Sequence, residues 1–240
     1  MSFKVKANIW VLKLTRNWIG LALVLVGTYA TLPFVAPTLM KLGATGAANV
    51  LYTLYSPMCH QFAFRSIFLY GEQPFYPREI SGSEYKSYEA YTANISDMPK
   101  ITDLSDFSPE FWFPARYFQG NETMGYKTSL CARDAAIYLA LFIGGVIYWK
   151  LRFRLRPMPF WLYIVFGLMP IGIDGFSQLL SYPPFGFWPV REALPFFRIA
   201  TGIFFGLANA WLGFPHMDRS MLATRVELEA KLKRAGYDKV

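Results

Sequence analysis

The chain has 240 residues, of which 54% are hydrophobic and 18% aromatic, whereas only 17% are charged and the formal net charge is +8. Average soluble domains contain about 25% charged residues, so this composition argues against both a disordered chain and an ordinary soluble domain. The aromatic side chains exceed what one small core can bury. We therefore expect part of the apolar surface to face something other than water.

Four stretches are apolar and long enough to cross a bilayer, whose hydrocarbon core of about 30 Å takes about 20 helical residues. They lie at residues 18–39, 130–149, 158–180 and 195–214. The first is not a short apolar block with a small-residue cleavage site, and we take it as a true span rather than a removable signal. The sequence thus predicts an all-α integral membrane protein with four transmembrane helices, forming one membrane domain over residues 1–240.

The positive charges lie on one side of the predicted spans. Basic clusters precede the first span, fill the turn between the second and third, and follow the fourth, whereas residues 71–128 carry nine acids against five bases. Cytoplasmic loops are enriched in Lys and Arg, so we expect both termini on the cytoplasmic side of a prokaryotic cytoplasmic membrane. This topology accounts for the net charge. It predicts membrane lipids as partners and removes the need for nucleic acid.

The segments outside the spans differ in character. Residues 41–70 are mostly apolar and predict one or two helices that lie on, or dip into, the outer face of the membrane. Residues 71–128 are polar and rich in Tyr, Ser, Asp and Pro, and we expect a long irregular exoplasmic loop. Residues 215–240 form a cytoplasmic tail, in which apolar positions at helical spacing over 221–235 predict a short amphipathic helix.

A few polar residues lie within the predicted spans. Asp134, Asp174 and Arg198 each fall on the outer side of the centre of their span. Gln178 shares a helix face with Asp174, and Thr201 shares one with Arg198. An ionisable residue inside a span is expensive and indicates a functional site. The structural alternative is an Asp174–Arg198 ion pair that only holds two helices together.

Small residues predict close packing in the last two spans. Gly202 and Gly206 have the GxxxG spacing, which lets the fourth span approach a neighbouring helix closely. In the third span, Pro170 lies near Gly172 and Gly175, beside the acidic residue. This combination predicts a kinked or opened turn.

Two cysteines, Cys59 and Cys131, lie on the predicted outer side. In an oxidising compartment they would form a disulfide. Alternatively, Cys59, His60, Cys131 and Asp134 offer S, N, S and O ligands to zinc or another transition metal. Unpaired thiols are the third alternative. Haem is disfavoured, because the second histidine of the chain, His216, lies at the cytoplasmic end of the fourth span.

These residues fall in four short motifs. The motifs are Cys59-His60-Gln61 followed by Arg65-Ser66, then Cys131-Ala132-Arg133, then Asp174-Gly175 with Gln178, and finally Arg198 with Thr201-Gly202. Together they resemble an uncharacterised prokaryotic family of polytopic membrane proteins, catalogued as a domain of unknown function. The family's C-x-R-C-T-G-I-Y block corresponds to residues 131–138, where Asp134 replaces the second cysteine. The resemblance implies a set of metal-binding side chains and a polar site on the outer side of the membrane. It implies no established activity.

The sequence leaves three classes of function open. We expect an accessory or structural subunit of a larger membrane complex, whose aromatic spans pack against other membrane-protein subunits. The alternative is a membrane-embedded, metal-dependent enzyme acting on a lipid or amphipathic substrate at the outer leaflet. In that enzyme His60, Asp134 or Asp174 would be the acid or base, and Arg65 or Arg198 would hold an anionic head group. The third class is an ion or proton carrier, which is disfavoured because the inner half of the spans lacks comparable charges.

Overall fold

The computed structural model describes residues 3–93, 95, 103–152 and 154–237. Four of its helices are long and apolar enough to cross a membrane: α1 (Phe3–Lys41), α5 (Ala132–Leu151), the continuous helix Phe160–Leu179, and α8 (Pro195–Arg234). The third of these is built from α6 (Phe160–Leu162), a π-helical segment (Tyr163–Leu168) and α7 (Met169–Leu179). The predicted fold class, a mostly helical membrane protein with four spans, is confirmed.

The segment between the first two spans folds into a cap on the bundle. Its elements are α2 (Thr45–Tyr55), a 3-10 turn (Ala63–Arg65), β1 (Ser66–Leu69), a second 3-10 turn (Glu79–Ser81), α3 (Tyr88–Thr92), α4 (Pro109–Tyr117), β2 (Gly120–Asn121) and β3 (Gly125–Cys131). The strands form an antiparallel sheet in the order β1-β3-β2. Beyond α2, residues 56–70 contain a turn and a strand, so a second helix there is not found.

An aromatic core holds the cap together. Its largest buried members lie between residues 62 and 111 and make stacked, tilted and edge-on ring contacts with one another: Phe62, Phe64, Phe68, Tyr76, Tyr88 and Phe111. A buried ion pair crosses this core, with Arg78 donating to Glu89 at 3.0 Å while its guanidinium lies 4.2 Å from the ring of Phe111. The prediction of an irregular loop over residues 71–128 is therefore wrong. The aromatic residues follow no helical or strand period, which is why their common core was missed.

The helices α1 and α8 extend well beyond a bilayer. With 39 and 40 residues, each is about 60 Å long at about 1.5 Å per residue, twice the hydrocarbon thickness. Their projecting ends pack together through Leu12, Leu228 and Leu232. The amphipathic helix predicted for residues 221–235 is thus the continuation of α8.

The closest helix contact joins α5 and α8. A Cβ added at Gly202 would lie 2.7 Å from the carbonyl oxygen of Arg133, and one at Gly206 would lie 2.3 Å from that of Ile137. No real Cβ atom occupies such positions, so only glycine permits this backbone approach. The close packing predicted from the GxxxG spacing is confirmed.

The helix of the third span widens about one turn before Pro170, earlier in the chain than the kink predicted beside Asp174. Proline has no amide hydrogen, so Pro170 cannot donate to the carbonyl of Phe166. Phe166 lies inside the π-helical segment Tyr163–Leu168, where the helix widens. Gly172 and Gly175, by contrast, lie in the regular helix α7.

At the end opposite the cap, Asp218 of α8 ties three spans together. Its buried carboxylate accepts hydrogen bonds from the indole of Trp18 at 2.9 Å, from the hydroxyl of Tyr148 at 3.0 Å and from Arg152 at 2.7 Å. These partners lie on α1, on α5 and directly after α5. The ion pair therefore fixes how α1 and α5 pack against α8 at this end.

Candidate functional site

Two cysteines and one carboxylate meet where the cap joins the bundle. Cys59 follows α2, Cys131 is the last residue of β3, and Asp134 lies in the first turn of α5. Their ligand atoms, two Sγ and one carboxylate oxygen, all lie within 4.8 Å of one another. We call these three residues the thiol cluster. The Cys131 thiol donates to Oδ2 of Asp134 at 2.9 Å.

The backbone around Cys59 is shaped to hold its sulfur. Gln61 has a φ of 55°, a left-handed conformation that is uncommon outside glycine. Its amide nitrogen donates to Sγ of Cys59 at 3.4 Å, and the amide of Cys131 donates to the same sulfur at 3.2 Å. The Gln61 side chain secures this turn by donating to the carbonyls of Tyr52 and Ser129, each at 2.8 Å.

Both cysteines are free thiols in this structure. The hydrogen bond with Cys131, and then burial, raise the pKa of Cys59 well above its ordinary value. Without a metal, Cys59 is therefore protonated at neutral pH. A metal ion that displaced the thiol protons of Cys59 and Cys131 would be bound by two sulfur atoms that already lie close together. The disulfide between Cys59 and Cys131 stays a prediction.

His60 is not part of the thiol cluster. Its ring is exposed and stacks on Phe62, with the ring centroids 5.3 Å apart. The four-ligand set predicted from the sequence is thus reduced to three, because the turn after Cys59 directs the neighbouring side chain elsewhere. Partial desolvation of the ring, followed by the charges of Arg65 and Arg116, lowers the pKa of His60, so its imidazole is neutral at pH 7.

A buried carboxylate, Glu192, collects several of the predicted site residues around it. Arg65 donates to both of its oxygens, at 2.7 and 3.0 Å, and Arg198 donates to Oε1. Gln178 and Tyr182 donate to Oε2 at 2.7 and 2.8 Å. We call these five residues the Glu192 network. It connects the cap, the loop before α8, and the spans α7 and α8.

The charges of this network are unequal. Burial alone would raise the pKa of Glu192, but the guanidinium groups of Arg65 and Arg198 outweigh it and lower the pKa to about 2. Two arginines therefore share one carboxylate. Both arginines also interact electrostatically with Cys131. The network thus places excess positive charge beside the thiol cluster.

Asp174 does not pair with Arg198, so the predicted ion pair between them is wrong. Instead, Asp174 accepts from Arg133 of α5 and, at 3.2 Å, from Arg191 of the loop before α8. Arg198 turns toward Glu192. The reason is that Glu192 and Arg191 enter from a loop whose course no helix periodicity could predict. The proposed carrier cluster of Asp134, Asp174 and Arg198 is accordingly three separate sites.

The remaining predicted polar residues serve their own surroundings. The hydroxyl of Thr201 donates to the carbonyl of Phe197 in its own helix, at 2.7 Å, and Gln61 braces the turn beside Cys59. Of the predicted cluster of Gln61, Gln178 and Thr201, only Gln178 belongs to the Glu192 network. Tyr182 and Glu192 were not predicted as site residues, and neither has a motif spacing that could have identified it.

Fold and site together define an integral, multi-pass membrane protein with a polar site at one end of its bundle. Residues 121–212 match the model of a family described as Predicted membrane protein (DUF2085). The match covers less than half of the chain, and it contains Cys131, Asp134, the spans that follow and Arg198. It confirms the resemblance to a membrane-protein family of unknown function. The comparisons with curated proteins and with solved structures found no match.

Proposed function

We propose that the protein binds a zinc-type transition metal ion through Cys59, Cys131 and Asp134, at the outer end of its transmembrane bundle. The observation that carries the proposal is the convergence of their three ligand atoms within 4.8 Å. Zinc binds sulfur at about 2.3 Å and carboxylate oxygen at about 2.0–2.2 Å, so ligands of one tetrahedral ion lie about 3.8 Å or less apart. Small side-chain movements would bring these three residues to that geometry.

The surroundings supply what such a site needs. Backbone amides of Gln61 and Cys131 point at the sulfur of Cys59, and hydrogen bonds of this kind orient a metal ligand. The excess positive charge of Arg65 and Arg198 would compensate two thiolates and a carboxylate around a divalent ion. Both features support a metal–thiolate centre more than a pair of inert thiols.

Three protein ligands leave a coordination position for water or substrate, as in catalytic rather than structural zinc sites. An apolar groove of about 330 Å³ starts at the same end of α5, lined by Ala132 and Ala135 of α5, Ile67 of β1, and Ile199 and Ile203 of α8. A groove with such walls fits an acyl chain. We therefore propose a metal-dependent enzyme that acts on a lipid or amphipathic substrate at the outer leaflet.

Elemental analysis of the purified protein is expected to find about one equivalent of zinc or iron per chain. Cys131→Ala should lose it, whereas Asp134→Cys, which adds a third thiolate, should retain it. The exposed cap acid Glu84 offers a matched control, and Glu84→Gln should leave the metal content unchanged. Because Cys59 is protonated without metal and zinc binds the thiolate, adding zinc should release at least one proton per ion, and zinc should bind more tightly as pH rises.

Non-reducing mass spectrometry distinguishes the competing use of the same residues. A Cys59–Cys131 disulfide in metal-free protein, purified under air and under nitrogen alike, would overturn the metal proposal. An accessory-subunit function remains a prediction for co-purification in a mild detergent to test. The third span is mostly exposed, since only 11% of its most apolar 18 residues are buried. A bilayer accounts for that exposure as well as a partner protein does.

We propose further that both termini lie in the cytoplasm and the cap outside. The support is that the basic residues in the first half of α1, those in residues 150–156 and those along the end of α8 share one end of the bundle, where Arg16 contacts Glu229 and Arg152 contacts Asp218. Green fluorescent protein fused to either terminus should fluoresce in a bacterial host, whereas alkaline phosphatase fused there should be inactive. Active phosphatase at both termini would reverse the orientation.

A further inference from the structure

A second polar cavity lies in the cap, separate from the thiol cluster. It has a volume of about 310 Å³ and opens between α2, α4 and β3. Two cations, Arg116 and Lys127, line it, together with the polar side chains of Asn49, Ser56 and Gln119. None of the described residues that line it is acidic. The cavity therefore has a positive lining at a size suited to a small ligand.

Lys127 is the first unusual feature of this cavity. The residue is 0% exposed, and its ammonium donates to the backbone carbonyls of Gln61 and Arg116. An ammonium has three N–H donors, so one has no acceptor in the described part of the chain. Nor does any described carboxylate lie within 4.0 Å of it. A buried charge without a counter-charge is costly, and it calls for an anion.

Arg116 is the second unusual feature of this cavity. It is half-buried and uses a single nitrogen, Nη2, to donate to the carbonyl and hydroxyl oxygens of Ser56 at 3.2 and 2.7 Å. No described carboxylate pairs with it. This distinguishes Arg116 from the other buried or half-buried arginines that the structure describes, each of which has a carboxylate partner: Arg65, Arg78, Arg133, Arg152, Arg191 and Arg198.

The neutral lining suits the oxygens of an anion. Asn49 and Gln119 are joined by a hydrogen bond of 2.7 Å from Nε2 of Gln119, which leaves the amide nitrogen of Asn49 available as a donor. The hydroxyl of Ser56, which accepts from Arg116, lines the same cavity. Amide, hydroxyl and guanidinium donors around one space form the set that commonly holds phosphate oxygens.

The surface beside the cavity is partly apolar. On α2, Val50 and Leu54 are 66% and 62% exposed on one face, and Tyr117 of α4 is 70% exposed at the cavity. An apolar helix face beside an exposed tyrosine is typical of a segment that lies at the membrane interface. A phosphate could therefore reach the cavity from the lipid surface or from solution.

We propose that this cavity binds a phosphate group through Arg116 and Lys127, from either a lipid head group or a free phosphate. The state of Lys127 agrees with this. Burial, opposed by Cys59 and reinforced by Arg116, lowers the pKa of Lys127 to about 7. A bound anion would favour the charged ammonium and so remove the cost of burying it.

The test uses the full-length protein in dodecyl maltoside and two probes. Inorganic phosphate is titrated by phosphorus NMR, and retention of phosphatidylglycerol is measured by native mass spectrometry. Arg116→Gln should weaken binding of the effective probe at least about tenfold, as expected for loss of a charge-assisted contact. Lys127→Met should do the same if it folds. Lys86→Gln, which removes an exposed cap lysine outside the cavity, should bind like the wild type.

Each outcome of this experiment either supports the phosphate proposal or contradicts it. Binding of inorganic phosphate that both cavity variants weaken identifies a free-phosphate site, and retention of phosphatidylglycerol alone identifies a head-group site. Absence of binding by both probes, or equal binding by Arg116→Gln and Lys86→Gln, would overturn the proposal. Because Arg116 lies outside the thiol cluster, measuring the metal content of Arg116→Gln keeps this result distinct from the metal proposal.

Discussion

Glu192→Gln is expected to lower the free energy of unfolding by about 3–5 kcal/mol, the usual cost of leaving a buried ion pair without one partner. The side chain of Glu192 is 1% exposed and is shared by Arg65 and Arg198. Glutamine keeps the volume of glutamate but has no charge, and its amide group would face a guanidinium. The two arginines would then be buried with no carboxylate between them, and the cap would lose the contact that Arg65 makes with α7 and α8 through Glu192.

The measurement is denaturant-induced unfolding in a mild detergent, followed by tryptophan fluorescence. Glu229→Gln is the matched control, because Glu229 also contacts two arginines, Arg16 and Arg225, but at the surface. Exposed pairs contribute about 0–1 kcal/mol, so this variant should unfold almost as the wild type does. A loss of less than 1 kcal/mol in Glu192→Gln would contradict the role assigned to the network.

The same carboxylate predicts how stability depends on pH. The pKa of Glu192 is about 2 in the folded protein, against 4.5 as its ordinary value. A lowered folded pKa means that the stabilisation is present above pH 4.5 and is lost as the pH falls from there toward 2. At about 1.4 kcal/mol per pKa unit, this component is on the order of 3 kcal/mol. Glu192→Gln should lack it, so the two stability curves should converge in acid.

Gly206→Ala is expected to destabilise the bundle by about 1–3 kcal/mol, as overpacking of a tight interior does. The new Cβ would lie 2.3 Å from the carbonyl oxygen of Ile137 and 2.8 Å from Cβ of Ala140. A backbone oxygen cannot rotate away as a side chain can, so α5 and α8 must separate. Helix propensity predicts the opposite sign, since alanine in a helix interior is favoured over glycine by about 1 kcal/mol.

Gly213→Ala separates these two effects on the same helix. A Cβ at Gly213 has nothing within 4 Å, so that variant should be neutral or slightly stabilised. Thermal unfolding of both variants in the same detergent compares them directly. If Gly206→Ala unfolds at the same temperature as Gly213→Ala, the close approach of α5 and α8 is incorrect.

The spans were the most predictable part of the protein, because crossing a bilayer requires a long uninterrupted apolar stretch. Residues 195–214 show that the end of an apolar stretch does not mark the end of its helix. The apolar stretch ends there, but α8 continues to Arg234, since its polar half is stabilised by packing on α1 rather than by lipid. The cap was mispredicted for the converse reason. Its core is aromatic and assembled from distant positions, and no local period marks it.

The candidate site was likewise predictable from the sequence only in part. Cys59, Cys131 and Asp134 were singled out from the sequence, and the structure brings them together. Their neighbour His60 was included for its position in the chain, yet the backbone turn at Gln61 excludes it. Glu192 carried no signal, because a single acid in a short loop resembles any solvated charge until the arginines around it are known.

The hydrophobic, aromatic and weakly charged composition of the chain thus determined a four-span membrane protein. It also identified the few polar residues that a bilayer would not tolerate without a reason. Only the tertiary structure decided which of these residues pair. It joined Arg65 and Arg198 to Glu192, gave Asp174 to Arg133 and Arg191, and left Arg116 and Lys127 without a carboxylate partner among the described residues. The physical reason is that the cost of a buried charge is local to its residue, whereas the partner that offsets the cost comes from anywhere in the chain.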